Sequence, residues 1–191
     1  MQNYKEVTGY PDSVSIACDG RLYGTWVMGQ NYTVKSEYYG GYPAGYLRRI
    51  KALFPENPET LHVCSGKVDL GAFPGDTLDI NPLMNPTYNV NAETMDGVPL
   101  DKYRLFLVDV PYSEEDCEHY GTAMIKRNKV MNAIAAGSRF GSYVVWLDQV
   151  LPMYRKEDWN VIAYIGMVKS TNHRFRVITI FERKPRKFNY E

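Results

Sequence analysis

The stretch Tyr103–Gly121, YRLFLVDVPYSEEDCEHYG, decides the fold. Leu105, Phe106, Leu107 and Val108 form a nearly continuous apolar run, the kind buried on both faces of a parallel sheet. The run ends in Asp109, then Pro111, which cannot donate to a strand ladder, then the aromatic Tyr112. Two readings fit that ending: a turn that merely stops a strand, or a small pocket that grips a flat substrate. Ser113 and the acids after it then suit a helix start, with negative charge in the first turn.

Working outward, the same pattern repeats. TLHVCSG (60–66) reads as a short buried strand ending in Ser65-Gly66, GDTLDINP (75–82) as a second ending at Asp79, and YNVNAETMDGVPL (88–100) as a weaker third ending near Ala92-Glu93. GSYVVWLDQVLP ends a further strand at Asp148, and NVIAYIGMVKS and HRFRVITIFERK form two strand-like runs closed by a hairpin at Thr171-Asn172. Helical spacing appears twice. Tyr46, Leu47, Ile50, Leu53 and Phe54 share one face after Pro43 and before Pro55; Met124, Val130, Met131, Ile134 and Ala135 share another, with Gly137 as a stop. Short strands are expected near Ser13–Ala17 and Gly24–Met28 within an otherwise irregular start. The expected architecture is α/β, a Rossmann-like, doubly wound, mostly parallel seven-stranded sheet with a C-terminal antiparallel hairpin. Residues 1–40 are read as an extension packed on or lidding the domain, 41–184 as the α/β domain and 185–191 as a basic tail.

Composition narrows the function. The chain has 191 residues, 45% hydrophobic, enough for one core and cramped for two. Lys plus Arg equals Asp plus Glu at 22 each, which argues against a stand-alone duplex-DNA binder, since phosphate neutralisation dominates such affinity. No apolar run of membrane-spanning length and no leader pattern occurs, and the 3 cysteines, Cys18, Cys64 and Cys117, are scattered, so a cytoplasmic location without a membrane role is expected. His62 with Cys64, and Cys117 with His119, lack metal-site spacing, and no CxxC, HExxH, phosphate loop or nucleophile elbow is present. No metal site is expected.

With these residues in place, the segment from about Tyr42 to Lys184 resembles the class I S-adenosylmethionine-dependent methyltransferases, a seven-stranded sheet whose last strand inserts antiparallel. Asp109-Val110-Pro111-Tyr112 resembles the Asp/Asn-Pro-Pro-Tyr/Phe motif of members that methylate an exocyclic adenine amine, with Val110 at the first proline. The resemblance implies that Asp109 and a backbone carbonyl accept hydrogen bonds from the amine, that Tyr112 stacks on the base and that Pro111 stiffens the turn. It implies that Ser65 and Gly66 approach the cofactor, that Asp79 holds the ribose hydroxyls with Ile80 against adenine, and that Glu93, ahead of Val98-Pro99, reads the adenine amino group. His62 stands where the family's strand-one acid is usual, and the remaining glycines of that turn are absent.

Each assignment has a plainer counterpart. Ser-Gly after a buried strand is common, Asp79 would also cap the loop made by Pro82, and Asp109 would also cap the helix after it. Tyr38, Tyr39, Tyr42 and Tyr46, interleaved with Gly40, Gly41 and Gly45, suit an aromatic lid or core packing. His173, Arg174 and Arg176 suit a phosphate contact or a solvated hairpin. The expected activity is methyl transfer from S-adenosylmethionine to an amino group of a nucleobase, adenine N6-like, or a comparable planar acceptor. A catalytically inactive methyltransferase-like binding or assembly protein, with a protein partner or a second copy, and a different reaction of S-adenosylmethionine stand as alternatives.

Overall fold

A computed structural model describes residues 4–29, 41–56, 58–112, 114–120, 122–169 and 175–185. In chain order its elements are α1 (Tyr4–Thr8), β1 (Val14–Ile16), β2 (Leu22–Met28), α2 (Tyr46–Leu53), β3 (Thr60–Val63), β4 (Asp76–Leu78), β5 (Leu105–Asp109), α3 (Glu114–Tyr120), α4 (Arg127–Gly137), β6 (Tyr143–Asp148), β7 (Trp159–Lys169) and β8 (Phe175–Arg183). The strands form one 8-stranded mixed sheet in the order β1-β2-β7-β8-β6-β5-β3-β4.

The apolar run of the opening stretch is β5. Leu105, Phe106, Leu107 and Val108 are all fully buried, because alternate side chains enter two separate cores. Phe106 and Val108 join Val130, Met131 and Ile134 of α4, while Leu105 and Leu107 join Tyr46, Leu47 and Ile50 of α2. A helix therefore covers each face. The β3–β4, β3–β5, β5–β6 and β2–β7 pairs are parallel. The last strand, β8, runs antiparallel between β6 and β7.

Several expectations are corrected. The sheet has 8 strands, not seven: the expected strand at 88–93 is lost, while β2 joins the edge of β7 in parallel, burying Trp26 and Met28, and β1 pairs antiparallel with β2. No third strand forms at 88–93; Tyr88 makes a single bridge to Leu78. Turn chemistry wins there. The Asn91 side chain accepts from the Glu93 amide, its carbonyl accepts from the Met95 amide, and Met95 and Gly97 take positive φ values of 54° and 73°. Met124 lies ahead of α4, and not on its buried face. Gly137 ends α4 for its size: an added Cβ would stand 2.9 Å from Leu100 side-chain atoms. Ser113, the Thr171-Asn172 connection and the 185–191 tail beyond Pro185 lie outside the described residues.

Residues of the first forty enter the same packing. Buried Arg49 of α2 donates to the Tyr4 hydroxyl at 2.6 Å, to Ser13 Oγ at 3.4 Å and to the Val27 carbonyl at 3.4 Å. This one guanidinium ties α1, the approach to β1, and β2 to the helix.

The topology also positions the site. From β3 the chain adds β4 on one side and then returns across β3 to lay down β5 on the other. The carboxyl ends of β3 and β5 thus flank a topological switch point, where open α/β sheets place ligand crevices.

Candidate functional site

Leaving β3, Cys64 and Gly66 both take left-handed φ values, 56° and 49°. Such a conformation costs a non-glycine residue on the order of 1–3 kcal/mol, so the surrounding structure over-determines Cys64. The reversal folds the loop onto β4. The Ser65 amide donates to the Leu78 carbonyl at 3.1 Å, and the Gly66 amide donates to Asp79 Oδ2 at 2.9 Å. The other Asp79 oxygen accepts from the Asn81 amide at 2.9 Å. Asp79 therefore pins together the loops after β3 and β4, with each carboxylate oxygen keeping a second lone pair. Beside it, Ile80 is 53% exposed, an apolar surface at the rim of the sheet. Asn89 Nδ2 holds this corner by donating to the Asp79 and Ile80 carbonyls at 3.0 Å each.

Glu93 stands apart from this pair. Its Oε1 accepts from the Lys126 amide at 2.7 Å and its Oε2 pairs with Lys129 Nζ at 3.2 Å. No side chain of Lys126 itself caps α4, so Glu93 supplies the missing acceptor at the positive end of that helix. The Lys126 amide holds its carboxyl below the usual carboxylate range, with Lys129 adding to the effect.

Beyond β5, Val110 is buried, while Asp109, Pro111 and Tyr112 are half-buried. The Tyr112 hydroxyl donates to Asp109 Oδ1, so the acid and the ring of the motif touch each other. The Arg176 guanidinium of β8 lies 4.3 Å from the centroid of the Tyr112 ring. Burial, reinforced by the Asp109 charge, pushes the Tyr112 phenol well above its ordinary range. Tyr42 and Tyr46 stack with centroids 5.0 Å apart next to this group, and the Tyr42 hydroxyl donates to the Leu107 carbonyl at 3.4 Å. Burial raises both phenols, and the Asp109 charge raises them further. Tyr46 is fully buried and its hydroxyl has no hydrogen-bond partner among the described residues. Tyr38, Tyr39 and Gly40 lie outside the described residues, as do His173 and Arg174.

His62 sits beneath the β3 loop. Its Nε2 lies 3.1 Å from the Phe73 carbonyl and its Nδ1 has no partner, which selects the neutral tautomer with the proton on Nε2. Burial lowers its pKa from 6.5 to about 4, against the opposing bond to Phe73. A histidine lowered in the folded chain stays neutral while the unfolded chain takes up a proton below 6.5. Stability is therefore whole at pH 7 and falls as the pH drops from 6.5 towards 4, by up to about 3 kcal/mol. Urea unfolding of the protein and of His62→Gln across that window should show the variant lacking this component; parallel curves would refute it. The Cys64 thiol, buried near Asp79 and Asp109, is pushed far up and is thereby a poor nucleophile. Among the described residues no group of three or more His, Cys, Asp and Glu could hold a metal ion.

Sequence reasoning passed over one pair. Asp148, at the carboxyl end of β6, is fully buried and accepts from Arg127 Nε at 2.6 Å and Nη2 at 3.2 Å, Trp146 Nε1 at 3.1 Å and the Gln149 amide at 2.7 Å. An acid ending a buried strand was the available signal; its arginine partner was not.

No family model matches the chain, and no curated protein matches it in sequence. Solved structures similar to it include TrmN from Thermus thermophilus, at 10% identity and a TM-score of 0.47, covering 72% of this chain and 48% of that one. A putative methyltransferase, YhhF, from Escherichia coli is 12% identical with a TM-score of 0.45, covering 87% and 94%. An rRNA methylase from Streptococcus thermophilus is 8% identical with a TM-score of 0.42, covering 68% and 89%. The chain spans about half the length of the TrmN structure.

Proposed function

We propose that this protein is an S-adenosylmethionine-dependent methyltransferase acting on an amino group of a nucleobase, adenine N6-like, or a comparable planar acceptor. The observation that carries the reading is the meeting of two loop systems at the topological switch point: Ser65-Gly66 tied to Asp79 on one side, Asp109 to Tyr112 on the other. The antiparallel insertion of β8 between β6 and β7 agrees with the resemblance read from the sequence.

The donor set suits the cofactor. Gly66 presents backbone without a side chain, Asp79 is an oriented carboxylate with lone pairs to spare for two hydroxyls, and exposed Ile80 offers an apolar contact for a base. Bound there, the cofactor would supply an electrophilic methyl group. The remaining work falls to Asp109 and Tyr112. Asp109 accepts from the acceptor amine and turns its lone pair towards the donor, and Tyr112 holds the ring flat; positioning of this kind supplies most of the rate in a direct transfer. Glu93 serves the donor side by fixing the start of α4 through the Lys126 amide, and its second lone pairs remain for an adenine amino group.

One observation favours the inactive binding protein instead. The Tyr112 hydroxyl already donates to one of the two Asp109 oxygens that could accept from an amine. Calorimetric titration with S-adenosylmethionine, and separately with S-adenosylhomocysteine, decides between them. Micromolar binding, weakened at least about tenfold in Asp79→Ala, is the expected outcome. Absence of heat from both ligands, in protein whose circular dichroism reports a folded chain, would sink the enzyme reading.

A further inference from the structure

We infer that Arg176 is the anion contact of the acceptor site, so that the acceptor is a nucleotide within a polynucleotide and not a free base or a neutral small molecule. The inference rests on the reading of Asp109 to Tyr112 as the acceptor end. Arg176 lies on β8 opposite Met167, on the same face as Ile178 and Ile180, whose side chains fill the α2-side core. It thus stands where that core opens towards the carboxyl edge of the sheet. Its guanidinium covers Tyr112, the ring assigned to the acceptor.

Unlike Arg49, whose Nε also lacks a partner but whose Nη1 and Nη2 donate to Tyr4, Ser13 and Val27, Arg176 meets the Tyr112 ring. Its Nε is buried and has no hydrogen-bond partner, and no carboxylate of the described residues pairs with it. Arg127 and Arg183, also carried into the fold, hold Asp148 and Asp158 respectively. Arg176 is half-buried, with its Nε out of contact with water and no counter-anion beside it among the described residues, and stacking on Tyr112 offsets only part of the cost. A phosphate would complete it, since the planar fork of donors matches phosphate geometry. The formal net charge of +0 sharpens the point. Without a general basic excess, affinity for a polynucleotide must come from a few placed contacts. Phosphate at Arg176 and base at Tyr112 divide the labour in the usual way, the first positioning and the second specifying.

Anisotropy of a fluorescein-labelled single-stranded DNA containing adenine, and of the RNA of the same sequence, tests this from about 50 to about 200 mM salt. Arg176→Ala is expected to weaken binding about tenfold and to reduce the salt slope by about one, whereas Arg176→Lys keeps the slope. Arg155→Ala, on the exposed surface, should leave both unchanged. The stronger of the DNA and RNA arms names the source of the phosphate. Three results would overturn the inference: wild-type protein that binds neither strand, Arg176→Ala with unaltered affinity and slope, or weakened binding at an unaltered slope, which would reduce Arg176 to packing on Tyr112. The calorimetric titration with S-adenosylmethionine is read in parallel and should not respond to Arg176→Ala. A protein that fails that titration yet loses oligonucleotide affinity and slope in Arg176→Ala would uphold the anion contact while removing the cofactor reading.

Discussion

Asp148→Ala should lower the free energy of unfolding by about 3–5 kcal/mol, the loss expected when one partner of a buried ion pair is removed. The carboxylate is wholly inaccessible, and the Arg127 side chain is only 20% exposed. Truncation leaves that guanidinium without its bidentate partner, orphans Trp146 Nε1 inside the α4-side core, and removes the acceptor of the Gln149 amide. Natural domains are stable by only about 5–15 kcal/mol, so the loss takes a large share of the total. In urea the midpoint should fall while the slope stays constant. The partners of Asp148 also predict the pattern among variants. Asp148→Asn, whose single amide oxygen keeps only one of the Trp146 and Gln149 bonds, should cost less than Asp148→Ala. A paired Asp148→Leu and Arg127→Met replacement should recover much of the deficit, because no unpaired charge remains. A change below about 1 kcal/mol in Asp148→Ala would show that water replaces the carboxylate, contrary to its burial.

The second large effect concerns activity. Asp109→Ala should reduce methyl transfer to an adenine-containing oligonucleotide by at least about 10²-fold, the scale of loss when a reacting group is no longer held in line. The measurement is incorporation of radiolabelled methyl from S-adenosylmethionine, with cofactor affinity followed by calorimetry on the same preparation. Affinity should hold, because the donor side is organised by Asp79 and Gly66 on different loops. Tyr112 complicates the substitution in a readable way. Its hydroxyl loses the bond to Asp109 in Asp109→Ala, yet the ring retains Arg176 on its face, so the acceptor end should stay assembled. Transfer within twofold of wild type would remove Asp109 from the acceptor site. It would also give weight to the reading of the Asp109–Tyr112 contact as a purely structural closure.

The elements that sequence made legible are those in which local periodicity and burial agree. The continuous apolar run of β5 could satisfy its pattern only between two cores, and the spacing of Tyr46, Leu47 and Ile50 only on one helix face. The misread strand at 88–93 shows the opposite case. Its Val and Tyr residues carry strand propensity, but Asn91, Met95 and Gly97 build turns whose hydrogen bonds close within a few residues. The loop acids differ again. Asp79, Glu93 and Asp109 were all singled out by position, yet Asp79 is bound to amides, Glu93 to the start of a helix and Asp109 to a tyrosine.

By itself the sequence determined an α/β chain, the strands that run between two cores, and the places where acids and an aromatic residue leave the sheet. Tertiary structure alone decided the strand order, the entry of β2 beside β7, and the partners of charges carried into the fold, among them Arg127 for Asp148 across 21 positions, Asp158 for Arg183 across 25, and the Tyr112 ring beneath Arg176. The physical reason is range. Burial and backbone preference act on each residue and its near neighbours, so they leave a periodic trace along the chain. A carboxylate or guanidinium takes whichever opposite charge, amide or ring the packed elements bring to it, and that meeting exists only once the sheet has closed.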